Sequence, residues 1–138
     1  MKTLKFSVHL LIVFCLFMFF QNINAQGKSK VYEKVDVMPE YPGGTQTLIN
    51  SILGEIKYPE EAKKDGIMGK VLVQFIVDKD GKIINPKVIH GIGHDCDAEA
   101  LRVVKLLKPF KPGMEEGKPV NVKMVLPIMF TLAEKNGK

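Results

Sequence analysis

The 138-residue sequence contains no tryptophan and only two cysteines, Cys15 and Cys96. Two thiols exclude a disulfide-rich scaffold. There is no internal repeat, no low-complexity segment and no proline-rich linker. The longest apolar run, Phe6 to Phe20, has 13 apolar residues of 15. At 1.5 Å per residue it spans about 22 Å as a helix, short of a hydrocarbon core of about 30 Å. Neither sign of charge dominates: 20 Lys+Arg face 15 Asp+Glu, and acids and bases are interspersed without aromatic–basic alternation. Nucleic-acid binding is therefore not expected. Gly43-Gly44-Thr45 lacks the lysine pattern of a P-loop. What remains is room for one domain, and a hydrophobic fraction of 46% argues against disorder and against a polytopic membrane protein.

The N-terminus is uneven. Lys2 and Lys5 precede the apolar run, and Gln21-Asn22-Ile23-Asn24-Ala25-Gln26 follows it. This is the layout of a secretory signal peptide, with the cut expected after Ala25. Such a cut removes two lysines and no acid, so the net charge falls from +5 to +3. Cys96 is then the single cysteine, and the fold must rest on packing alone. The alternative is an uncleaved membrane anchor. The expected organisation is a signal peptide over 1–25, an extended lead-in over 26–44, a domain over 45–133 and a polar tail over 134–138.

Within the domain, Leu48, Ile49, Ile52, Leu53 and Ile56 recur at helical spacing, with Thr45 as a cap and Gly54 as a stop. Pro59 through Gly66 forms a second short helix, acidic at its start and basic at its end. Lys70 to Val77 is a strand apolar on both faces apart from Gln74, as in a central strand. Asp78-Lys79-Asp80-Gly81 turns it into a returning strand, Lys82 to His90, in which Pro86 predicts a bulge or an unpaired side. A helix lies within His94 to Lys108, capped by Asp95 or Asp97, and Met114 to Gly117 is a loop. From Val120 to Leu132 every second residue is apolar, the period of a strand with one buried face. In the lead-in, Val31, Val35 and Val37 can form a short edge strand, while two prolines and a Gly-Gly pair between Met38 and Gly44 oppose a helix. The order helix, hairpin, helix, strand gives an α+β fold: a small three-stranded antiparallel sheet packed against two helices.

One cluster carries possible chemistry. His90-Gly-Ile-Gly-His94-Asp-Cys96-Asp97 gathers the ligand types zinc favours, and a metal-binding role for His90, His94 and Cys96 is one alternative. The spacing matches no common zinc pattern. Taken singly, His90 ends a strand, the glycines turn, and the aspartates cap a helix. As a nucleophile, Cys96 would gain from a helix N-terminus and from His90 or His94 as base, but the flanking aspartates oppose its ionisation. No convergent acid, base and nucleophile marks an enzyme, and no cofactor is expected. Pro127 carries a different signal. A proline inside a strand that otherwise pairs well places an unpaired side there, as at a sheet edge, which is either open to an added peptide strand or protected and without a partner.

Two runs resemble the TonB C-terminal domain. The first comprises Tyr58-Pro59, Ala62, Gly66, Gly69-Lys70-Val71, Val73, Phe75, Val77, Gly81 and Val88. The second comprises Asp97, Glu99-Ala100-Leu101, Phe110-Lys111-Pro112-Gly113, Gly117-Lys118-Pro119-Val120, Pro127-Ile128 and Phe130. Met38 to Gly44 looks like a lead-in found in one branch of that family. Phe110 stands where the family often has Trp, and Cys96 where it often has Leu. The resemblance implies a periplasmic binding domain that grips the TonB-box peptide of TonB-dependent outer-membrane receptors by strand addition to its last strand. The contact is expected on Val120, Asn121, Val122, Lys123, Met124, Val125 and Leu126, with Lys118 and Lys123 able to meet acidic partners. Residues 26–44 reach at most about 65 Å fully extended. Without a long linker, the expectation is an exported accessory of TonB-dependent transport in the periplasm. A short anchored energy transducer meeting inner-membrane motor proteins is the alternative. Monomer and homodimer both stay open.

Overall fold

Val71, Val73, Phe75 and Val77 occupy every second position of one strand, and all four are buried. That strand, β2 (Gly69–Val77), is the axis of the computed structural model, which describes residues 29–133. The expected signal peptide and polar tail lie outside the described residues. β1 is Val31–Tyr32, β3 Ile83–His90, β4 Gly113–Glu115 and β5 Lys118–Phe130; α1 is Gly44–Glu55, α2 Glu60–Lys64 and α3 Cys96–Leu106. β2 pairs antiparallel with β3 on one side. On the other it pairs with β5 along its whole length, from Gly69 opposite Phe130 to Val77 opposite Val122.

The β2–β3 hairpin forms as its sequence predicts. Asp78 Oδ1 accepts hydrogen bonds from the Asp80 and Lys82 amides, each at 2.9 Å, and the Gly81 amide donates to the Asp78 carbonyl. Gly81 sits at φ +84°, and a Cβ there would collide with the Phe110 carbonyl. Its own carbonyl accepts from the Phe110 amide at 2.8 Å, tying the turn to the segment after α3. The bulge at Pro86 is present: Asn85 and Pro86 together face Phe75, between the pairs Gln74–Lys87 and Ile76–Ile84.

The helices cover one face of the sheet. α3 buries Cys96, Ala100, Val103 and Val104 in the core that holds Val71, Val73 and Phe75, and it contacts both β2 and β3. Ala62 of α2, Ile52 of α1, Tyr41 and Phe110 complete that core. Tyr41 and Phe110 meet edge to face at 5.2 Å, as do Tyr58 and Phe130 at 5.5 Å. Leu72, Gln74 and Ile76 on the opposite face of β2 are only half-buried. The strand is central in the sheet, but helices cover one side of it, not both.

Several expectations change. The α+β class holds, but among the described residues the sheet has five strands instead of three, in the order β1-β5-β2-β3 with β4 also on β5, and it is mixed instead of antiparallel because β1 runs parallel to β5. The expected loop at Met114 to Gly117 is β4 and a tight turn through Glu116 and Gly117, both at positive φ. The lead-in is docked: Val37 exchanges backbone hydrogen bonds with Met114, and Glu40 with Lys111. Of the three valines expected in its edge strand, Val31 lies in β1 and Val37 in an isolated bridge. Such pairing uses backbone groups alone and leaves no side-chain period to read. Thr45 is inside α1, whose cap is Gly43 at φ +86°, and α1 runs one residue past Gly54. Neither aspartate caps α3 through its side chain. Asp95 holds the cap position at φ +61° without a cap hydrogen bond. Asp97 Oδ1 instead accepts from the Ile92 and Gly93 amides at 2.8 and 3.2 Å, closing the turn after β3.

Candidate functional site

The alternation predicted for the last strand is present in β5. Val122, Ile128 and Phe130 are buried, and Val120, Met124 and Leu126 half-buried, on the helix-covered face. Val125, Pro127 and Met129 are exposed on the other face. Asn121 shares that other face yet is buried, and its Oδ1 accepts from the Lys79 amide at 3.1 Å.

The backbone of β5 divides into two parts. At its start, Lys118, Pro119 and Val120 pair with β4, and Asn121 and Val122 pair in parallel with Val31 and Tyr32 of β1. From Lys123 to Phe130, β2 is its sole strand partner among the described residues. In an antiparallel ladder every second residue turns its N–H and C=O away from its partner strand. The far side of Lys123–Phe130 is thus a stretch of unpaired backbone. Pro127 lies within it, opposite Leu72 of β2. β5 is not the outermost strand, since β1 lies beyond it, but β1 covers only two residues.

Of the seven residues expected to meet a peptide, Val120, Asn121 and Val122 already have intramolecular partners on that account. Lys123, Met124, Val125 and Leu126 belong to the unpaired stretch. Lys123 also has a partner of its own: its Nζ lies 2.5 Å from Glu33 Oε1. That hydrogen bond, and then the lysine's charge, hold the Glu33 carboxyl below its ordinary pKa. Lys118 is exposed at the β4–β5 turn. The sequence offers an edge strand at Val31, but nothing in it marks Glu33, just beyond that strand, as the partner of Lys123.

The motif residues do other work. Ala62, Ala100, Phe110 and Phe130 are core. The Tyr58 hydroxyl donates to the Ile67 carbonyl, and burial pushes its pKa up. Gly66 ends α2 at φ +64°. Gly69 starts β2 opposite Phe130. Gly113 packs under Val122 and Pro39, where a Cβ would stand 2.5 Å from Val122 Cγ2. Pro112 precedes β4, Pro119 is exposed on β5, and Pro59 caps α2. A further clamp was not anticipated: Glu99 binds the Lys57 amide at 2.7 Å and Arg102 through two hydrogen bonds, while Arg102 donates to the Glu55 carbonyl. It fastens the end of α1 to α3.

The His/Cys cluster does not assemble. Cys96 faces the core, and burial first, then Asp97 and Asp95, push its thiol pKa up. His94 Nδ1 lies 3.3 Å from Asp65 Oδ2, and His90 is exposed at the end of β3. Among the described residues, no three His, Cys, Asp or Glu side chains are grouped to hold a metal ion. No helix of the described residues is long and apolar enough to cross a membrane.

The sequence profile of the Gram-negative bacterial TonB protein C-terminal family matches residues 54–132. Protein TonB of Vibrio cholerae is 34% identical over 77 residues, which cover 55% of this chain and 31% of that protein. The chain therefore spans under a third of that relative's length. Two solution structures of the Helicobacter pylori TonB C-terminal domain are also similar. One has 26% identity and a TM-score of 0.49, covering 65% of this chain and 95% of the other. The second has 25% identity and a TM-score of 0.48, covering 68% and 89%. The family match takes in more than half of the chain, from the end of α1 through the whole of β5, and on it the chain belongs to the TonB C-terminal domain family.

Proposed function

We propose that this is a protein-binding domain of the cell envelope that takes an extended receptor peptide as an added strand on the outer side of β5, along Lys123–Phe130. The observation that carries this reading is the outer side of Lys123–Phe130, which has no strand partner among the described residues, on a strand whose earlier residues already accept a parallel strand from the same chain. Membership of the TonB C-terminal domain family supplies the partner class: outer-membrane receptors of TonB-dependent transport, engaged through a TonB-box peptide. The role is binding, not catalysis. The three residues Val120, Asn121 and Val122 become available only if β1 and β4 move aside, so the first contact falls on Lys123–Leu126.

Export by a cleaved signal peptide would make the protein a periplasmic accessory of transport. Retention of that segment would make it a short anchored energy transducer within reach of motor proteins, and the mass of the native N-terminus distinguishes the two. The binding reading is tested by titrating 15N-labelled protein with a TonB-box peptide. Amide shifts should concentrate on Lys123–Phe130, with smaller changes at Val31–Glu33. Spectra unchanged at millimolar peptide, or shifts confined to the His90–Asp97 turn, would refute it.

A further inference from the structure

α1 leaves part of its apolar stripe uncovered. Ile52 is buried and Leu48 packs against the core, but Ile49 is 42% and Leu53 64% exposed. Across from them on β5 lie Leu126, Pro127 and the half-exposed Met129. Between helix and strand runs a groove of about 420 Å³, whose lining residues are all apolar except Thr45. That is within the usual range of ligand grooves, about 300–1,000 Å³. Contiguous apolar surface of this kind marks an interaction site more often than a solvent face.

The groove lies beside the unpaired side of Lys123–Phe130. Leu126, Ile128 and Phe130 point to the helix-covered face. Neighbouring residues across a ladder point to the same face. A strand added beyond β5 would therefore aim the side chains opposite Leu126 and Ile128, two residues apart, at Ile49 and Leu53. We propose that this groove is the selectivity pocket of the added strand, taking aliphatic side chains at positions i and i+2 of the guest peptide. The proposal rests on strand addition to β5 and adds the chemistry of the guest. Its helical wall, Thr45 to Leu53, lies N-terminal to the residues matched by the family profile. The occupant is an extended peptide because the same edge already holds one such strand, β1, which ends at Tyr32, and among the described residues no strand continues it along Lys123–Phe130.

The test compares two lysine-flanked octapeptides, one alternating threonine with leucine, the other threonine with serine, by NMR titration of the protein and of its Leu53→Glu and Ile49→Gln variants. Both sites are exposed, so the variants should keep the wild-type circular dichroism. The leucine peptide should bind about tenfold more tightly than the serine peptide. Leu53→Glu should erase that advantage while both peptides still shift Lys123–Phe130. Equal affinities for the two peptides, or an advantage that survives both variants, overturns the pocket and leaves strand addition standing. No edge shifts with either peptide overturns both. A concentration-dependent dimer in sedimentation that Leu53→Glu abolishes would assign the groove to a second copy and also overturn the proposal.

Discussion

Replacing Asp97 separates a structural from a chemical role for the His90–Asp97 turn. Its Oδ1 accepts from the part-buried Ile92 amide at 2.8 Å and from the Gly93 amide at 3.2 Å. A hydrogen bond to a charged acceptor contributes about 1.5–3 kcal/mol when it is short and shielded. The second bond is longer and exposed and adds little. Asp97→Ala should cost about 2–3 kcal/mol, and Asp97→Asn, which keeps a neutral acceptor, about 1 kcal/mol. For a domain near 100 residues these losses lower Tm by roughly 10–20 °C and about 5 °C. Urea unfolding by circular dichroism should show a lower midpoint at unchanged slope. A Cβ on Gly91 would run into the same carboxylate. Gly91→Ala should therefore cost less in the Asp97→Ala background than in the wild type, a coupling that a double-mutant cycle reads directly. Asp97→Ala within 0.5 kcal/mol of wild type on the order of measurement error, or strict additivity with Gly91→Ala, would refute this account of the turn.

Phe110→Ala, which removes the edge-to-face contact with Tyr41 and the tilted ring contact with Phe75, should cost about 3–5 kcal/mol in the same unfolding assay. The Cys96 thiol, buried and held protonated by its surroundings, should react with a thiol reagent only at the rate of global opening, so labelling should follow the urea transition. Glu99 is shifted below its ordinary pKa by Arg102, so its contribution is fully present above the unfolded value of about 4.3 and is lost as pH falls through the lower folded value. Glu99→Gln should accordingly flatten the loss of stability below that pH. Glu33 has the same sign through Lys123, and Glu33→Gln should speed amide exchange at Val31 and Tyr32 at neutral pH while leaving that of β2 unchanged.

The elements with a side-chain period were legible in the sequence: α1, β2, β3, α3 and β5 all stand within a few residues of their expected bounds. What escaped was held by backbone alone. β4 and the bridges at Val37 and Glu40 have too few residues to show alternation, and of the valines expected in a lead-in edge strand, Val31 lies in β1 and Val37 in a bridge. Caps failed for a related reason. Gly43 and Asp95 enter their helices at positive φ, so the polar side chains nearby bond elsewhere: Thr47 to the Gly43 carbonyl, Asp97 to the turn before it. Pro127 did mark an unpaired side, but how far that side extends depends on β1, which no feature of β5 discloses.

An edge of the proposed kind would bind through backbone groups that every residue carries. That generality limits what it can do unaided. Ordering one guest residue costs about 1–2 kcal/mol, and a backbone hydrogen bond returns a net of about 0.5–1.5 kcal/mol. Strand addition by itself is close to neutral, and it would accept nearly any extended chain equally. Affinity and choice must then come from side chains beside the edge, where burying one aliphatic group contributes about 1.5–3 kcal/mol. In this chain the apolar side chains so placed are those of α1, chiefly Ile49 and Leu53, outside the stretch that matches the family profile. Within the matched stretch, Leu126, Pro127 and Met129 form the strand side of that groove, while the buried residues from Ala62 to Phe130 hold the core and the ladder. On the proposed reading, a common framework would offer the edge and the helix beside it would decide which peptide stays.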